Sequence, residues 1–598
     1  MEINKKRVLA GLCLGGLLTQ GCATLEPETE ADWQSVVEVS RLAETHVSDD
    51  GSRLVVGNPR NLNIIDGHDG QVLGGFGEAA NWQMTISVGG TEAYRLRAES
   101  SNALVLPEAD LALMFDYHGA RERITAVHLS SGDKAWHSQE YNYSLQQYEQ
   151  IIGEAVDRVA AALGGEGEST LDQRKRQRHF AQHLARPVDD GEGLLLKTFD
   201  GLIKLDASTG FELWRLEDFQ GPGIRSVETL DNGDYLVLST GRDLSRLQAA
   251  ESYHLARISP DGEVRWKQEH SGRDTHGMQV AEGYAVIDAS PMQVFQLNDG
   301  SKAWEGTTNR RSGEFTDRHY LPAPEPAIRD GVIYHVAWTH GEDGDLVSVG
   351  APHRIRALDL SSGDILWESE ETSTYFGDLK FHGDQLIAWG AGRYFGDSNV
   401  GGAAGLSLAN GEELWRTAEM ETPGLTSAAP YISEPIVDGQ RNKAFVAGPE
   451  VLYAVDLNSN EIAYELDLND MGFGDTMGLM ASDDRIAIIH TGGVAAINAD
   501  DGTVAFDTET EHVGDFHRGD ERVVVQVLPS ALMAFSEDDN SGGLRAVDLR
   551  NGETGPLVAW EDLRSFLFGS FDDRPVVSTD GRAAFFVDED GQVFRYRL

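Results

Sequence analysis

The chain has 598 residues, 98 acidic and 49 basic side chains and a formal net charge of -49. With 40% hydrophobic and 25% charged residues it reads as a globular chain long enough to bury a sizeable core, and neither as a disordered nor as a multi-spanning one. Its charge repels nucleic acid and anionic lipid, so nucleic-acid binding is excluded, and 66 Gly against 18 Pro points to many short strands joined by tight turns.

The first element is an address. Lys5, Lys6 and Arg7 form a positive start, and Val8 to Leu18 is an apolar stretch. It is too short to span a bilayer, which takes about 20 residues, but suits a secretory core. It ends in Leu18-Thr19-Gln20-Gly21-Cys22, which resembles a bacterial lipobox. This reading makes residues 1–21 a lipoprotein signal peptide, Cys22 the lipidated residue and 22–35 a tether. Two or more acyl chains give a stable anchor where one is marginal. Ala23, rather than Asp, after the cysteine resembles the sorting signal for an outer-membrane, periplasm-facing destination. Cys13 and Cys22 are the only cysteines. The body after Cys22 therefore holds no disulfide, thiolate zinc site, cysteine nucleophile or covalently attached haem.

From about residue 36 to 598 one pattern recurs: an alternating apolar strand, Asp/Asn/Ser turn formers, a glycine, and an aromatic a few residues on. Six copies pair Gly132 with Trp136, Gly210 with Trp214, Gly262 with Trp266, Gly300 with Trp304, Gly363 with Trp367 and Gly411 with Trp415. AVDLNSNEIAY ends at Tyr464, AINADDGTVAF at Phe506 and AVDLRNGETGPLVAW at Trp560, while an early copy, IIDGHDGQVLGGF, ends at Phe76. In KLDASTGFELW, Ile203 and Leu205 alternate with Leu202 and Lys204, a period-two strand. Asp206 to Thr209 form the turn, Gly210 supplies the left-handed residue that closes a bulged hairpin, and Trp214 offers a plate to a neighbouring unit. Seven of the eleven Trp occupy this slot, a structural use of the residue. Gly283 to Asp288, Arg485 to His490 and Arg522 to Val527 read as inner strands. Units of about 40–50 residues carry four strands, as propeller blades do.

Between Trp136 and Leu194 the pattern breaks. Tyr148, Ile152, Val156, Val159 and Leu163 recur at three and four, which predicts an amphipathic helix. Thr170 and Gln173 predict the cap of a second helix bearing Arg174, Lys175, Arg176, Arg178 and Arg186. This insertion, about 140–190, carries a basic cluster in an acidic chain; its readings are ion pairing with the ring or docking of an acidic partner. The C-terminal Asp590 to Leu598 repeats the strand of Asp200 to Leu205 and stops before the turn. The missing outer strand is expected from the segment near Trp33 to Leu42, which removes a free edge and closes a circle.

These repeats resemble the PQQ-like (quinoprotein) β-propeller family. The resemblance implies an all-β propeller of eight or more four-stranded blades with a helical insertion. A catalytic member needs PQQ over a Trp, a calcium ion and an Asp base. The turns Asn498 to Gly502 and Ser536 to Asn540 have the acidity for calcium, but in a chain with ten Lys and so many acids, a composition resembling salt-loving organisms, they read as plain turns. His179 and His183 have i,i+4 spacing but sit among Arg; Gly390 to Gly396 lacks the dinucleotide spacing, and Gly396-Asp-Ser398 is an isolated triplet. No catalytic or metal residue is therefore assigned, and no cofactor. A lipoprotein signal with such repeats resembles the BamB-type factors of outer-membrane protein assembly. That resemblance implies a non-catalytic membrane-anchored scaffold with protein partners; the alternative is a periplasmic PQQ-dependent dehydrogenase, with PQQ and calcium, or another propeller enzyme.

Overall fold

A computed structural model describes most of residues 31–598. Besides short breaks in some loops, residues 1–30, 142–184, 243–250, 307–325, 339–352, 423–432, 529–541 and 561–575 lie outside the described part. Cys22, the predicted helices with Arg174, Lys175, Arg176 and Arg178, the His179/His183 pair and the triplet at Gly396 all fall there.

The described chain forms eleven antiparallel sheets of four strands, one of which carries a fifth short strand, Met420–Thr422, together with a two-stranded hairpin of Gln83–Val88 and Thr91–Arg97. The sheets are blades. Numbered in chain order they span 44–77, 103–137, 185–216, 223–271, 273–305, 327–368, 378–422, 436–467, 476–509, 512–560 and 576–597. In blade 3, for example, the strands are Ala185–Val188, Gly193–Thr198, Gly201–Asp206 and Glu212–Leu216, hydrogen-bonded in that order. First strands of neighbouring blades touch, as Ala185–Val188 does Gly223–Thr229, so the first strand lies toward the axis and the fourth at the rim. The segments at Tyr284, Arg485 and Arg522, read from sequence as inner, are second strands.

Second and third strands are buried on both faces, so burial does not alternate along Gly201–Asp206 as its period-two reading expected. In Gly193–Thr198, Leu194 and Leu196 pack on blade 2 while Leu195 packs on blade 4. Among the described residues there are eleven such apolar clusters, one for each pair of successive blades. The eleventh joins blade 11 (Phe585, Val593) to blade 1 (Leu54, Val56, Ile65), so the blades form a closed ring.

Closure uses the chain's beginning. Trp33–Val36 is the fourth strand of blade 11 and pairs antiparallel with Gln592–Arg597, Trp33 opposite Arg595 and Val36 opposite Gln592. Asp32 adds an ion pair to Arg595 at 2.5 Å. The outer strand predicted from the N-terminal segment is therefore in place, and the propeller begins at Trp33, inside the stretch assigned to the tether. The predicted insertion also ends earlier than expected. Ala185–Val188 is the first strand of blade 3, so Arg186 sits on a strand opposite Leu195, not on a helix. Extended Val188 pairs with Gly193, which ties this segment into the sheet. Among the described residues the only helical turns are three short 3-10 ones, at Pro107–Ala109, Asp189–Gly191 and Glu217–Phe219.

Candidate interaction surface

The repeat motif is the fastener between blades. Asp206 Oδ1 accepts hydrogen bonds from Ser208 Oγ (2.6 Å) and from Thr209 N and Oγ1 (both 2.8 Å), and Gly210 N donates to Asp206 O at 2.8 Å. These bonds hold the Asp206 carboxyl below its ordinary range, the Ser208 hydroxyl contributing most against burial. The third-to-fourth strand register then shifts between Lys204 and Leu205, the expected bulge. Gly210 has φ +71, and a methyl there would fall 2.3 Å from the ring of Trp136, so conformation and space both require glycine.

Each aromatic reaches forward to the next blade. The indole N–H of Trp136 donates to Ala207 O, Trp214 to Pro260 O, Trp266 to Leu297 O and Trp304 to Leu360 O, all at 2.8 Å, and Trp367 to Leu408 O at 3.0 Å. The rings of these five lie on Gly210, Gly262, Gly300, Gly363 and Gly411. Trp33 does the same to blade 1, donating to Gly67 O at 3.2 Å beside Gly70. Tyr464 and Phe506 fill the slot against Gly502 and Gly552.

Two seams depart. On blade 1 the slot four residues after Gly70 holds Gly74, not the predicted Phe76. A methyl on Gly132 would lie 2.3 Å from Gly74 N, so backbone meets backbone across that seam. At blade 8 Asn460 (φ +59) replaces the glycine, a position Asn tolerates. Trp415 there donates to Gln385 Oε1 at 3.0 Å, and Gln385 Nε2 passes the link on to Leu457 O and Asn460 Oδ1 at 3.0 and 2.8 Å. Trp560 pairs with Gly542 on the fourth strand of blade 10.

Many of the scarce bases also serve the seams. Arg53 reaches Leu129 O, Arg257 reaches Leu297 O, Lys443 reaches Asp500 O and Arg522 reaches Leu598 O, each in the following blade at 2.7–3.0 Å. In the seam of blades 3 and 4, buried Lys204 pairs with Asp189 at 2.7 Å and donates to Tyr235 Oη at 2.8 Å. Burial and the neighbouring Asp189 push the Tyr235 phenol up. These groups are partnered within the ring. Among the described residues no three His, Cys, Asp or Glu side chains converge as a metal-binding set. The turn Asn498 to Gly502 is the motif turn of blade 9: Asp500 pairs with Arg441 at 3.0 Å and Asp501 accepts from Thr503. Ser536 to Asn540 lies outside the described residues.

What the ring leaves open is its rim. Nearly all the exposed large apolar side chains sit on fourth strands at or near the turn, among them Val72, Phe211, Leu213, Ile365, Leu366 and Val504. Phe211 is 74% and Leu213 53% exposed, side by side on blade 3. Each fourth strand also ends its sheet, with an edge available for pairing. Between blades 6 and 7 the rim holds a cavity of about 320 Å³ lined by Glu368, Glu370, Glu412, Glu413 and Arg416 among others. Its acids are partly neutralised, Glu368 by Arg354 and Arg356 and Glu413 by Arg416.

A model for the PQQ-like family described as outer membrane protein assembly factor BamB matches residues 251–508 and 401–562, together just over half of the chain. The protein belongs to that family. BamB-type membership accounts for the blade pattern, and the structure extends the same repeat beyond the matched region, from Trp33 to Arg597. No curated protein matches it. Among solved structures it is similar to the designed protein Ika8, with 10% identity, 70% of this chain and 97% of that chain covered, and a TM-score of 0.32. It is also similar to a eukaryotic initiation factor (9%, 63% and 87%, 0.35) and to the dihydro-heme d1 dehydrogenase NirN (12%, 90% and 76%, 0.29). Likeness this weak carries no information on function.

Proposed function

We propose that this protein is a non-catalytic scaffold of the cell envelope, lipid-anchored through Cys22 at the outer membrane, that binds protein partners of outer-membrane protein assembly. The observation that carries the reading is the division of labour in the ring. The motif turns, indoles and several basic side chains are engaged across the seams, while apolar side chains are presented on the rim. Solvent-facing Phe211 and Leu213 beside an unpaired strand edge have the make-up of an interaction hot spot. BamB-type family membership supports a protein-assembly role over a redox one. The tether is short: ten residues separate Cys22 from Trp33, at most about 36 Å when extended. A rim held that close to the bilayer meets membrane-embedded partners directly.

The test is co-purification from detergent-solubilised membranes. The Phe211→Asp/Leu213→Asp variant is expected to fold, stay membrane-bound and lose at least tenfold of its recovered partner. Cys22→Ser is expected to move the protein to the soluble fraction. Unchanged partner recovery from the rim variant, or alcohol-dependent dye reduction by the purified protein given PQQ and calcium, contradicts the reading.

A further inference from the structure

The seam of blades 3 and 4 holds a second lysine, treated quite differently from Lys204. Lys197 is fully buried on Gly193–Thr198, and its side chain faces blade 4 with Leu195. The opposing rows of blade 4 follow from the register. Ser239, His254 and Glu269 stand in one row, and Val237, Ala256 and Lys267 in the next. Val237 and Ala256 pack in the cluster shared with blade 3, so both rows face it.

Lys197 Nζ has Ser239 Oγ at 3.3 Å. Its amine lies 5.5 Å from the Phe219 ring centre, and the Lys267 amine lies 4.3 Å from the same ring. Lys267 donates to Asp218 O at 2.7 Å. His254 Nδ1 has no hydrogen-bond partner; its nearest acid is Glu269 at 3.8 Å, whose carboxylate is 76% exposed. Two amines and an imidazole thus converge without a carboxylate on Lys197 among the described residues, in a chain with two acids for every base. Lys204 shows the contrast in the same seam: its amine is paired with Asp189 at 2.7 Å. Burial, and then Lys267, push the Lys197 ammonium down to about 7, so the free amine is accessible near neutral pH.

We propose that Lys197 is a carbamylation site, its amine combining with carbon dioxide to place the missing anion in the seam. The Nζ lone pair adds to the carbon of CO2, forming an N–C bond while one C–O π pair moves onto oxygen. The nitrogen then loses one proton to water, leaving a carbamate of charge -1. Ser239 Oγ–H is the donor at hand for its oxygens, and Lys267 supplies positive charge; burial and the two lysines push the His254 imidazole down, toward its neutral form. A buried amine that stays neutral is a nucleophile, and a low-dielectric pocket beside the Lys267 ammonium favours the anionic product.

The experiment is carbon-13 NMR of the intact protein with labelled bicarbonate at pH 8, against Lys197→Met and Lys197→Gln, which keep every other amine. The proposal expects a carbamate signal from about one site per chain that both variants lose. Bicarbonate is also expected to raise the wild-type melting temperature at fixed ionic strength and to leave the folded variants unmoved. Equal signals in wild type and variants overturn the assignment. So does an equal rise with chloride or acetate, which would mark a site for a free anion.

Discussion

At the scale of single residues, the motif glycines and aromatics were legible because one constraint recurs in most blades: a left-handed turn whose missing side chain makes room for the preceding blade's ring. Phe76 misled because Gly74 occupies the slot by backbone contact, which no side-chain pattern announces. The buried titratable groups were not legible either, since their burial comes from a neighbouring blade rather than from their own strand. His490 illustrates this. Its Nδ1 accepts from Gly474 N and Gly492 N at 3.1 Å each, which puts the proton on Nε2, 4.0 Å from Asp507 Oδ1. The ring stacks on Phe473 with centres 5.0 Å apart. Burial pushes its pKa down to about 4 from an ordinary value near 6.5. Between pH 6.5 and 4 the unfolded chain therefore binds the extra proton, and stability falls as pH falls through that window, by up to about 3 kcal/mol. His490→Gln is expected to show a smaller drop in melting temperature between pH 7 and 4.5 than the wild type. An unchanged drop would mean that His490 charges freely in the folded ring.

At the scale of the blade, packing sets the size of each mutational effect. Trp136 is 7% exposed and clasped by blade 3, whereas Trp214 is only half-buried. Trp136→Ala is expected to cost about 3–5 kcal/mol, the usual loss for a large buried aromatic, and Trp214→Ala visibly less. Hydrogen exchange should localise the Trp136→Ala effect to blades 2 and 3, because each blade packs on its two neighbours. Equal effects at the two sites would refute the seam geometry. Gly132→Ala tests the glycine–glycine seam. Its φ of +73 and the 2.3 Å approach to Gly74 N leave no room for a methyl, and about 1–3 kcal/mol is expected to be lost. A neutral substitution would show that blades 1 and 2 pack less closely than described. The four-stranded unit itself was readable from spacing. The hairpin of Gln83–Val88 and Thr91–Arg97 was not, having no copy elsewhere to align with, and Arg186 was drawn into the helical reading by the basic run before it.

At the scale of the molecule, the number of blades is set by how many seams must be filled before the first blade meets the last. The sequence carries ten turn motifs and one interrupted strand, which sum to the observed eleven blades once the interrupted copy is completed from the other end of the chain. The clue was Trp33, an aromatic lacking its own turn that serves as the slot residue of blade 11. A ring latched in this way makes closure depend on the N-terminal segment, since Trp33–Val36 is also the last strand needed. Among the described residues, Phe211 and Leu213 on the rim of blade 3 are exposed. Cross-linking across the latch tests the closure most directly. With Cys13 and Cys22 changed to Ser, the Val36→Cys/Gln592→Cys variant carries the chain's only thiols, at positions directly opposed in antiparallel register. Opposed antiparallel Cα atoms lie about 4.5–5.5 Å apart, within disulfide reach. The account predicts near-complete intramolecular disulfide formation in the folded protein, read as a faster-migrating, near-circular chain without reductant, and none after unfolding. Free thiols, or disulfides only between molecules, would contradict the closed ring.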